Sequence, residues 1–572
     1  MDRRALIAAA EEWIAGDPDP GTRAEMERHL AAGDLEALAE HLEGALTFGT
    51  AGIRGRVGPG PNRMNRAVVI RVTAGLAAYL NREEAGGGPV VVGFDARLTS
   101  REFAAETVGV LAAAGIPVRF FPEPVPTPLV AYAARRLGAA AAVVVTASHN
   151  PREDNGYKVY GSNAAQIVPP VDTAIAEAID AALPAAQVPR AQGALEGAVP
   201  GVRALGPEMA EEYVADIIAT RPSSARGGPL RIVYTPLHGV GRDLAVRTLW
   251  HAGFRDVATV PEQAEPDGRF PTVAFPNPEE PGALDLALGL ASTVGADLVL
   301  ANDPDADRLA VCVPDGEGWR ALTGNQVGLL LADFVLAAER PGETPIVANS
   351  IVSSPMLGSI AREYGGHWEQ TLTGFKWICN AALELEADGV GRFAFGYEEA
   401  LGYSVGRVVR DKDGIGAAVW FADLAAACRE EGETVLHRLA RLYRRHGLWV
   451  STQRSLMLPG AEGRAAIDDA MEGLRSRTPA SLGGMAVEST TDYRQNAEVR
   501  PRWLGAQALV EFELEGGGRV LARPSGTEPK LKIYVDLRAG LEPGDDFAAA
   551  EQALEQRAAS AASDLAAFLG LD

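Results

Sequence analysis

Three aspartates stand at alternate positions between two apolar runs. Asp303, Asp305 and Asp307 follow "ADLVLA" and precede "LAVCV". Alternate side chains of an extended backbone point to one side, so we expect the three carboxylates to converge. Crowded carboxylates repel one another unless a cation lies among them, and Mg²⁺ prefers hard oxygen ligands. We therefore predict a magnesium site. An exposed acidic turn is the alternative, and the spacing excludes an EF-hand.

A serine follows a second apolar run. Residues 139–145, "AAAAVVV", contain no polar side chain, and "TASHNP" comes next with Ser148 beside His149 and Asn150. The run predicts a strand buried on both faces. Ligands of open α/β sheets collect outside the carboxyl ends of strands, so Ser148 is placed to meet a substrate. The alternative is that Thr146, Ser148 and Asn150 only cap turns.

Two further polar segments lie nearer the C-terminus. In "RPSGTEPK", Arg523 can grip a phosphate through two hydrogen bonds, while Ser525, Gly526 and Thr527 add hydroxyls and backbone N–H groups. A simple turn between two strands is the alternative. In "GYEEALGY" and the later "RDKDG", Glu398 and Glu399 can accept hydrogen bonds from sugar hydroxyls and Lys412 can neutralise a phosphate. "HGVG" at 238–241 is a weaker pattern, and His238 is as well explained by a structural role.

The elements that must position these residues alternate between strands and helices. Strand-like runs such as "PVVVGFD" and "IPVRFFP" are separated by alanine-rich helical stretches, which predicts parallel, doubly wound α/β layers. We predict three such α/β domains followed by a smaller α+β domain with an antiparallel sheet. The expected boundaries are 1–205, 206–318, 319–446 and 447–572.

Composition limits the partners of the chain. Its 572 residues carry a net charge of −23, which works against a general affinity for nucleic acid or acidic lipid. The three cysteines are widely separated and are expected to be core residues. The N-terminus is unlike a signal peptide, and no apolar run approaches the roughly 18 residues of a membrane span, so we expect a soluble, cytoplasmic protein.

Taken in order, the four segments resemble those of the α-D-phosphohexomutase family. Its phosphoserine, metal, sugar and phosphate loops are similar to "TASHNP", "DPDADR", the "EE" segment and "RPSGTEP". "FGTAGIRG", "FPNPEEPGALD" and "TGFKWI" are most similar to the branch that contains phosphoglucomutases and phosphopentomutases. The resemblance spans residues 47 to about 535 and implies four domains around a central cleft.

The resemblance also implies roles for individual residues. Ser148 would carry a phosphoryl group and contact Mg²⁺ together with the three aspartates. The other implied catalytic residues are Lys158 as general acid or base, Arg54, Arg308 and His149. Burial among cations is expected to lower the pKa of Lys158 toward neutrality, as that role needs. The implied substrate ligands are Glu398, Glu399, Lys376, Lys412, Arg523, Ser525, Gly526 and Thr527. Where many relatives have serine or histidine in the sugar loop this chain has Ala400, Leu401 and Tyr403, and the choice between Glu398 and Glu399 as main sugar ligand stays open.

The implied activity is interconversion of glucose 1-phosphate and glucose 6-phosphate, with glucose 1,6-bisphosphate as activator. Mannose phosphates, pentose phosphates and synthesis of hexose 1,6-bisphosphate are alternatives within the class. A metal-dependent sugar phosphatase and a non-catalytic phosphosugar sensor are alternatives outside it. The expected partners are small phosphosugars, with neither nucleic acid nor membrane, and the protein is expected to be a monomer or homodimer.

Overall fold

The computed structural model describes residues 1–572 apart from 50–51, 83–86, 197–198, 223, 226, 340–341, 459, 526–529 and 572. It divides into two compact units. The first contains Met1–Ala321 and Gly402–Ala426, and the second contains Leu322–Leu401 and Ala427–Asp572. The four domain boundaries expected from the sequence stay a prediction.

Residues 1–46 have a helical periodicity that "GDPDPG" interrupts, and three helices occur there. Asp19 ends the interruption "GDPDPG" by accepting a hydrogen bond of 2.7 Å from Gly21 N, which caps the second helix. Their small core contains Ala10, Met26, Leu38 and Leu42. The helices are α1 (Arg3–Gly16), α2 (Pro20–Ala32) and α3 (Leu35–Leu42).

The first sheet has a parallel centre and antiparallel edge strands. Its strand order is β1-β5-β4-β2-β3-β6, with β4, β2, β3 and β6 parallel and with β5 antiparallel to both β4 and β1. The strands are β1 (Ile53–Arg56), β2 (Val90–Phe94), β3 (Val118–Phe120), β4 (Ala141–Val145), β5 (Asp154–Tyr160) and β6 (Val202–Ala204). The helices are α4 (Arg66–Arg82), α5 (Ser100–Ala113), α6 (Thr127–Arg136), α7 (Val171–Asp180) and α8 (Glu208–Thr220).

The second sheet repeats this plan in the order β11-β10-β9-β7-β8. Its strands β9, β7 and β8 are parallel, while β10 and β11 form an antiparallel edge. The strands are β7 (Arg231–Thr235), β8 (Asp256–Thr259), β9 (Leu298–Ala301), β10 (Ala310–Asp315) and β11 (Gly318–Ala321), and the helices are α9 (Arg242–His251) and α10 (Asp285–Val294).

The second unit begins with a third α/β layer, in which β12 pairs in parallel with β13 and β14. Its elements are α11 (Gly324–Ala338), β12 (Pro345–Ser350), α12 (Met356–Glu363), β13 (His367–Thr371), α13 (Phe375–Ala387) and β14 (Arg392–Glu398). The chain then returns to the first unit for β15 (Gly402–Val405) and the start of α14 (Gly414–Glu430).

The last segment is an antiparallel α+β structure, as predicted. Its sheet runs β16-β21-β20-β19-β18-β17. No expectation from the sequence covered α16, β17 and β18, and most residues of β18 are polar and most are exposed. The elements are α15 (Val435–His446), β16 (Leu448–Met457), α16 (Gly460–Ser476), β17 (Ser481–Leu482), β18 (Met485–Asp492), β19 (Val510–Leu514), β20 (Gly518–Pro524), β21 (Lys530–Ala539) and α17 (Phe547–Leu569).

The fold class is therefore the predicted one, three α/β layers followed by an α+β segment. Short 3₁₀ helices lie at Ala185–Gln187, Ala194–Glu196, Pro261–Gln263, Ala497–Val499 and Arg502–Leu504. All three cysteines are buried and free, as expected. In the described part of the chain, no helix combines the length and the apolar character that a membrane crossing needs.

Candidate active site

Ser148 lies three residues beyond the end of β4, as the sequence predicts. Its side chain is buried, and its backbone has a left-handed φ of 52°, which is uncommon for a residue other than glycine. The backbone N–H donates to Thr146 Oγ1 at 2.8 Å. Thr146 Oγ1 in turn donates to Asp95 Oδ2 at 2.6 Å. This chain of hydrogen bonds holds a strained conformation at the position of the hydroxyl.

Arg97 also stabilises the loop that contains Ser148. Its guanidinium is buried and donates to the carbonyl oxygens of Ser148 at 2.7 Å and Asn150 at 2.6 Å. It also donates to the carbonyl oxygens of Pro151 at 2.6 Å and Asp154 at 2.9 Å. One side chain therefore binds four backbone acceptors of the segment Ser148–Asp154.

The aspartate loop follows β9, and its three carboxylates do converge. One ligand oxygen from each of Asp303, Asp305 and Asp307 lies within 4.8 Å of the others, and all three side chains are buried. The expectation of an extended backbone is wrong, however. The loop turns, and Ala306 has a left-handed φ of 56°. Convergence here results from the turn and not from strand alternation.

"HGVG" supports the aspartate loop without carrying chemistry of its own. Val240 N donates to the carbonyl oxygen of Pro304 at 2.9 Å. A Cβ at Gly239 would lie 2.3 Å from Pro304 Cα, so only glycine allows this approach. His238 is buried, and its Nε2 lies 2.8 Å from Thr272 Oγ1. The structural explanation for this histidine therefore holds.

The serine and aspartate loops meet at one hydrogen bond. Ser148 Oγ donates to Asp303 Oδ2 at 2.7 Å. Lys158, on β5, donates to Asp305 Oδ2 at 2.7 Å and to Asp307 Oδ2 at 2.9 Å. Serine, ammonium and three carboxylates thus form a single buried cluster within the first unit.

Lys412 belongs to this cluster as well. Its Nζ lies 3.1 Å from Asp307 Oδ2 and 3.4 Å from Asp411 Oδ1. From the sequence, this lysine is expected beside the glutamates of the sugar segment. The geometry places it instead as a second cation beside the aspartate loop.

Charge crowding splits the pKa values of the carboxylates. Burial raises the pKa of Asp303 well above its ordinary value, and the neighbouring Asp305 and Asp307 add to this effect. Burial would also raise the pKa of Asp305, but Lys158 together with hydrogen bonds holds it below the usual range. Asp303 is therefore the carboxyl group of the cluster that most readily holds a proton.

The pKa of Lys158 differs from the sequence-based expectation of a lowered value. Burial lowers the pKa of its ammonium group, but the carboxylates of Asp305 and Asp307 outweigh burial and raise it above the ordinary value. The expectation considered the surrounding cations and omitted the two hydrogen-bonded carboxylates. In this arrangement the side chain is an ammonium ion at neutral pH.

The cluster fits a divalent metal ion. Asp305 Oδ1 and Asp307 Oδ1 are buried, and neither accepts a hydrogen bond from the residues that the structure describes. Buried carboxylate oxygens without donors are costly, and a cation among them removes the cost. Because all the donor atoms are oxygens, the set suits a hard ion such as Mg²⁺.

Three other predicted catalytic residues lie around Ser148. Arg54 Nη1 donates to Asn150 Oδ1 at 2.8 Å, and Arg308 N donates to Asp303 Oδ1 at 3.0 Å. His149 Nδ1 lies 3.1 Å from Ser148 Oγ. Burial, followed by the charges of Arg308 and Arg54, holds the pKa of His149 well below its ordinary value, so its ring is neutral.

The second unit brings together residues of the sugar and phosphate segments. Glu399 Oε2 accepts hydrogen bonds from Ser350 Oγ at 3.0 Å and Ser353 Oγ at 2.9 Å. Glu398 Oε1 accepts one of 2.7 Å from Gly374 N, next to the start of α13 where Lys376 lies. Each glutamate is therefore held in place by its own donors, and their order of importance stays open.

Tyr534 lies within electrostatic range of both glutamates and of Arg523. Burial raises the pKa of Tyr534, the charges of Glu399 and Glu398 raise it further, and Arg523 opposes them and shares a hydrogen bond with the tyrosine. Ser525 N donates to the carbonyl oxygen of Lys530 at 2.7 Å. Gly526 and Thr527 lie outside the described residues.

Sequence reasoning missed several supporting residues. Thr127 Oγ1 donates to Asp305 Oδ2 at 2.6 Å, and Arg97 binds the serine loop. Arg97 lies three residues beyond the parallel strand β2, so the rule that located Ser148 would also have drawn attention to it, whereas Thr127 is the first residue of α6, seven residues beyond β3. The same rule marks Ser350, the last residue of the parallel strand β12, and Ser353, three residues beyond it, whereas no signal of this kind marks Tyr534 within the antiparallel strand β21.

Known protein families match most of the chain. Family descriptions of "Phosphoglucomutase/phosphomannomutase" match consecutively: alpha/beta/alpha domain I at residues 45–185, domain II at 211–316, domain III at 323–446 and the C-terminal domain at 486–550. The chain belongs to the α-D-phosphohexomutase family. It is accordingly an intramolecular phosphotransferase, an isomerase of the mutase type.

Individual relatives cover nearly the whole chain. A "Probable phosphomannomutase" of Haemophilus influenzae is 41% identical over 84% of this chain and 94% of its own length. A "Probable phosphoribomutase" of Schizosaccharomyces pombe is 37% identical over 93% of this chain and 94% of its own. A crystal structure of a putative phosphomannomutase from Thermus thermophilus has the same fold, with a TM-score of 0.68 at 23% identity, over 91% of this chain and 99% of that one.

Proposed function

We propose that this protein interconverts glucose 1-phosphate and glucose 6-phosphate through a phosphoserine at Ser148 and a bisphosphorylated sugar intermediate. The observation that carries the proposal is the hydrogen bond from Ser148 Oγ to Asp303 Oδ2, at 2.7 Å, inside a buried cluster with a metal-ligand set. A hydroxyl in that position is suited to gain and lose a phosphoryl group. Many phosphoryl transfers depend mainly on such positioning and on charge stabilisation.

Ser148 acts as donor and acceptor in turn. Phosphoserine passes its phosphoryl group to a sugar hydroxyl placed in line, which leaves Ser148 free and the sugar with two phosphates. The intermediate then turns end over end, and Ser148 takes the other phosphoryl group back. Arg97 fixes the loop during both transfers, because it binds the carbonyl oxygen of Ser148 itself.

Asp303, Asp305 and Asp307, with an oxygen of the group on Ser148, would hold Mg²⁺. When bound, the ion supplies positive charge for the oxygens of the transferred group. Arg54 and Arg308 add positive charge beside Ser148. The two unpaired oxygens of Asp305 and Asp307 support this assignment.

Lys158 is the proposed proton-transfer group. Its raised pKa makes the ammonium ion the resting form, which can donate a proton to the departing oxygen of one transfer. In the same transfer the amine formed in this way accepts the proton of the attacking hydroxyl, so that one proton is gained and one is lost and the ammonium ion is restored. Lys412 shares Asp307 with Lys158 and so keeps the cluster close to neutral when Lys158 loses its proton.

The second unit is assigned the sugar hydroxyls and the phosphate that does not react. Glu398 and Glu399 are proposed to accept hydrogen bonds from the hydroxyls, with Lys376 beside them. Arg523 and Ser525, with Gly526 and Thr527, are proposed to bind the distal phosphate. A site built from an arginine and a small polar loop recognises phosphate without depending on the sugar carbon that carries it.

Pentose phosphates are the second candidate substrates. The relative named "Probable phosphoribomutase" is 37% identical and covers nearly the whole chain, which favours the 1- and 5-phosphates of ribose or deoxyribose. Such a reaction would use the same serine and the same aspartates. Mannose phosphates are favoured in the same way by the relative named "Probable phosphomannomutase".

A ³¹P NMR time course separates these substrates. The protein is incubated with Mg²⁺, a trace of glucose 1,6-bisphosphate and one of glucose 1-phosphate, mannose 1-phosphate or ribose 1-phosphate. We expect the 6-phosphate signal to grow fastest with glucose. A faster 5-phosphate signal with ribose would replace glucose by pentose as substrate. Growth of free phosphate alone would indicate a phosphatase, accumulation of bisphosphate a synthase, and no change in any tube would contradict the proposal.

A further inference from the structure

A second group of side chains of the types that can bind a metal lies among the N-terminal helices, outside the aspartate cluster. Glu25 and His29 are four residues apart on α2, so they share one face of the helix, and His41 lies on α3. One ligand atom from each lies within 4.8 Å of the other two. The imidazole rings of His29 and His41 are 5.5 Å apart between centroids.

The hydrogen bonding of His41 orients it for a metal. Its Nδ1 lies 2.8 Å from the carbonyl oxygen of Pro59. A carbonyl oxygen can only accept, so Nδ1 carries the proton and Nε2 keeps its lone pair. A histidine ligand whose second nitrogen donates to a backbone carbonyl is the usual arrangement around a bound metal, because it fixes both the tautomer and the ring.

The backbone next to His41 is equally constrained. A Cβ at Gly60, which has a φ of 107°, would lie 1.9 Å from the carbonyl oxygen of His41. Asn62 Nδ2 donates to the carbonyl oxygens of Glu40 at 2.7 Å and Glu43 at 2.9 Å. The turn that follows β1 therefore fastens to the end of α3, and His41 is held on both its backbone and its side chain.

We propose that Glu25, His29 and His41 form a binding site for a borderline divalent metal ion, with Zn²⁺ as its best occupant. Imidazole nitrogens suit Zn²⁺, whereas Mg²⁺ prefers oxygen ligands alone, so this site and the aspartate cluster select different ions. The bonds require about 2.0–2.2 Å from each donor atom to the metal, which small changes in side-chain rotamers can provide. A water molecule completes a tetrahedral set.

The site would brace the N-terminal helices against the rest of the first unit. The metal joins α2 to α3, and α3 is joined through His41 to the turn after β1, the strand that contains Arg54. All three ligand side chains are half-buried, so the ion can enter from solvent. The inference does not depend on the proposed mutase activity.

Zinc retention by the full-length protein tests this site. The protein is stripped with a chelator, loaded with Zn²⁺ in the presence of excess Mg²⁺, passed through gel filtration, and its zinc content is measured by mass spectrometry. We expect one zinc ion per chain in the wild type and its loss in His29→Gln and Glu25→Gln. His251→Gln, at an exposed histidine on α9, is the matched control and should retain the ion.

Two further readouts identify the ligands and protect the test against misfolding. Co²⁺ in place of Zn²⁺ should give visible absorption bands typical of nitrogen ligands, and these bands should disappear in His29→Gln while circular dichroism stays unchanged. The dissociation constant for Zn²⁺ should rise at least about tenfold in either variant. Equal zinc content in wild type and His29→Gln, no retained zinc in the wild type, or loss of zinc in Asp303→Asn instead would overturn the proposal.

Discussion

Ser148 Oγ and Asp303 Oδ2 are 2.7 Å apart, although 155 positions separate the two residues in the chain. The contact joins the loop after β4 to the loop after β9, which belong to two different sheets of the first unit. Each loop follows a buried strand, so the two strands determine the positions of both side chains. A reactive hydroxyl is thereby fixed beside a set of metal ligands, which is the relationship that phosphoryl transfer needs.

Replacement of Arg97 by lysine should disorganise the serine loop. Lysine keeps the charge but cannot reach four carbonyl oxygens from one nitrogen, and each buried acceptor left unpaired costs about 1–3 kcal/mol. We expect a lower melting temperature and a lower kcat, with a smaller relative change in KM. Arg101→Lys is the matched control, since this exposed arginine donates to Pro122 O alone among the bonds described for it. An R97K enzyme with wild-type kcat would refute the role of Arg97 in holding the serine loop.

Thr127→Val should weaken metal binding, because valine has nearly the shape of threonine but lacks its hydroxyl. The hydroxyl donates to Asp305 Oδ2 at 2.6 Å, and its loss leaves that ligand less well oriented. The Mg²⁺ concentration for half-maximal activity should rise about 10–100-fold. Thr248→Val removes a buried hydroxyl whose hydrogen bond among the described residues is to Leu244 O on its own helix, and it should leave the Mg²⁺ requirement unchanged. Equal shifts in the two variants would mean that the effect is general destabilisation.

Lys158→Met separates the two roles of the lysine. Without its ammonium group, Asp305 and Asp307 lose a buried counter-ion, so the metal-free protein should be less stable and should bind Mg²⁺ at least as tightly as the wild type. Loss of the proton-transfer group should lower kcat by about 10²–10⁴-fold. Calorimetric Mg²⁺ titration and steady-state kinetics measure both quantities. A variant that loses Mg²⁺ affinity and kcat in parallel would point to a structural role only.

Asp413 predicts a pH dependence of stability outside the aspartate cluster. Burial raises its pKa from 3.8 to about 6, even though Tyr213, Gly416 N and Ile415 N donate to its Oδ1. The folded state therefore binds this proton more tightly than the unfolded state. Stability from this group is fully present below about pH 4, falls as pH rises to about 6, and is then lower by about 3 kcal/mol.

Asp413→Asn tests this dependence because asparagine keeps the accepting oxygen and removes the charge. The melting temperature of D413N relative to wild type should increase from pH 4 to pH 6 and then level off. Circular dichroism melting curves at several pH values measure the difference. A constant difference over this range would show that Asp413 does not titrate as described.

Much of this organisation could be predicted from the sequence. Apolar runs such as 139–145 give buried strands because no polar group interrupts them, and Ser148 was located by its place beyond such a strand. Asp303 was instead singled out by its alternate spacing with Asp305 and Asp307 between two apolar runs. Periodicity likewise indicated the three α/β layers. The antiparallel edge strands β1 and β5 were not foreseen, since their pairing depends on contacts that are distant in sequence.

The details of the cluster could not be predicted, because they depend on how turns place side chains. Ala306 has a left-handed backbone conformation that no sequence pattern predicts. This conformation occurs where an extended backbone was expected. Lys412 contacts Asp307 across more than a hundred residues, and the raised pKa of Lys158 results from two carboxylates on the opposite loop. Contacts of this kind, between residues far apart in the chain, leave no local signal in the sequence.

The most direct test of the account is to locate the phosphoryl group. Wild type and Ser148→Ala are incubated with glucose 1,6-bisphosphate and Mg²⁺, desalted, and analysed by intact mass and by peptide fragmentation. The account predicts one phosphoryl group per chain on Ser148 in the wild type, none in the variant, and loss of mutase turnover with it. A phosphoryl group on another residue, or full turnover by S148A, would contradict it.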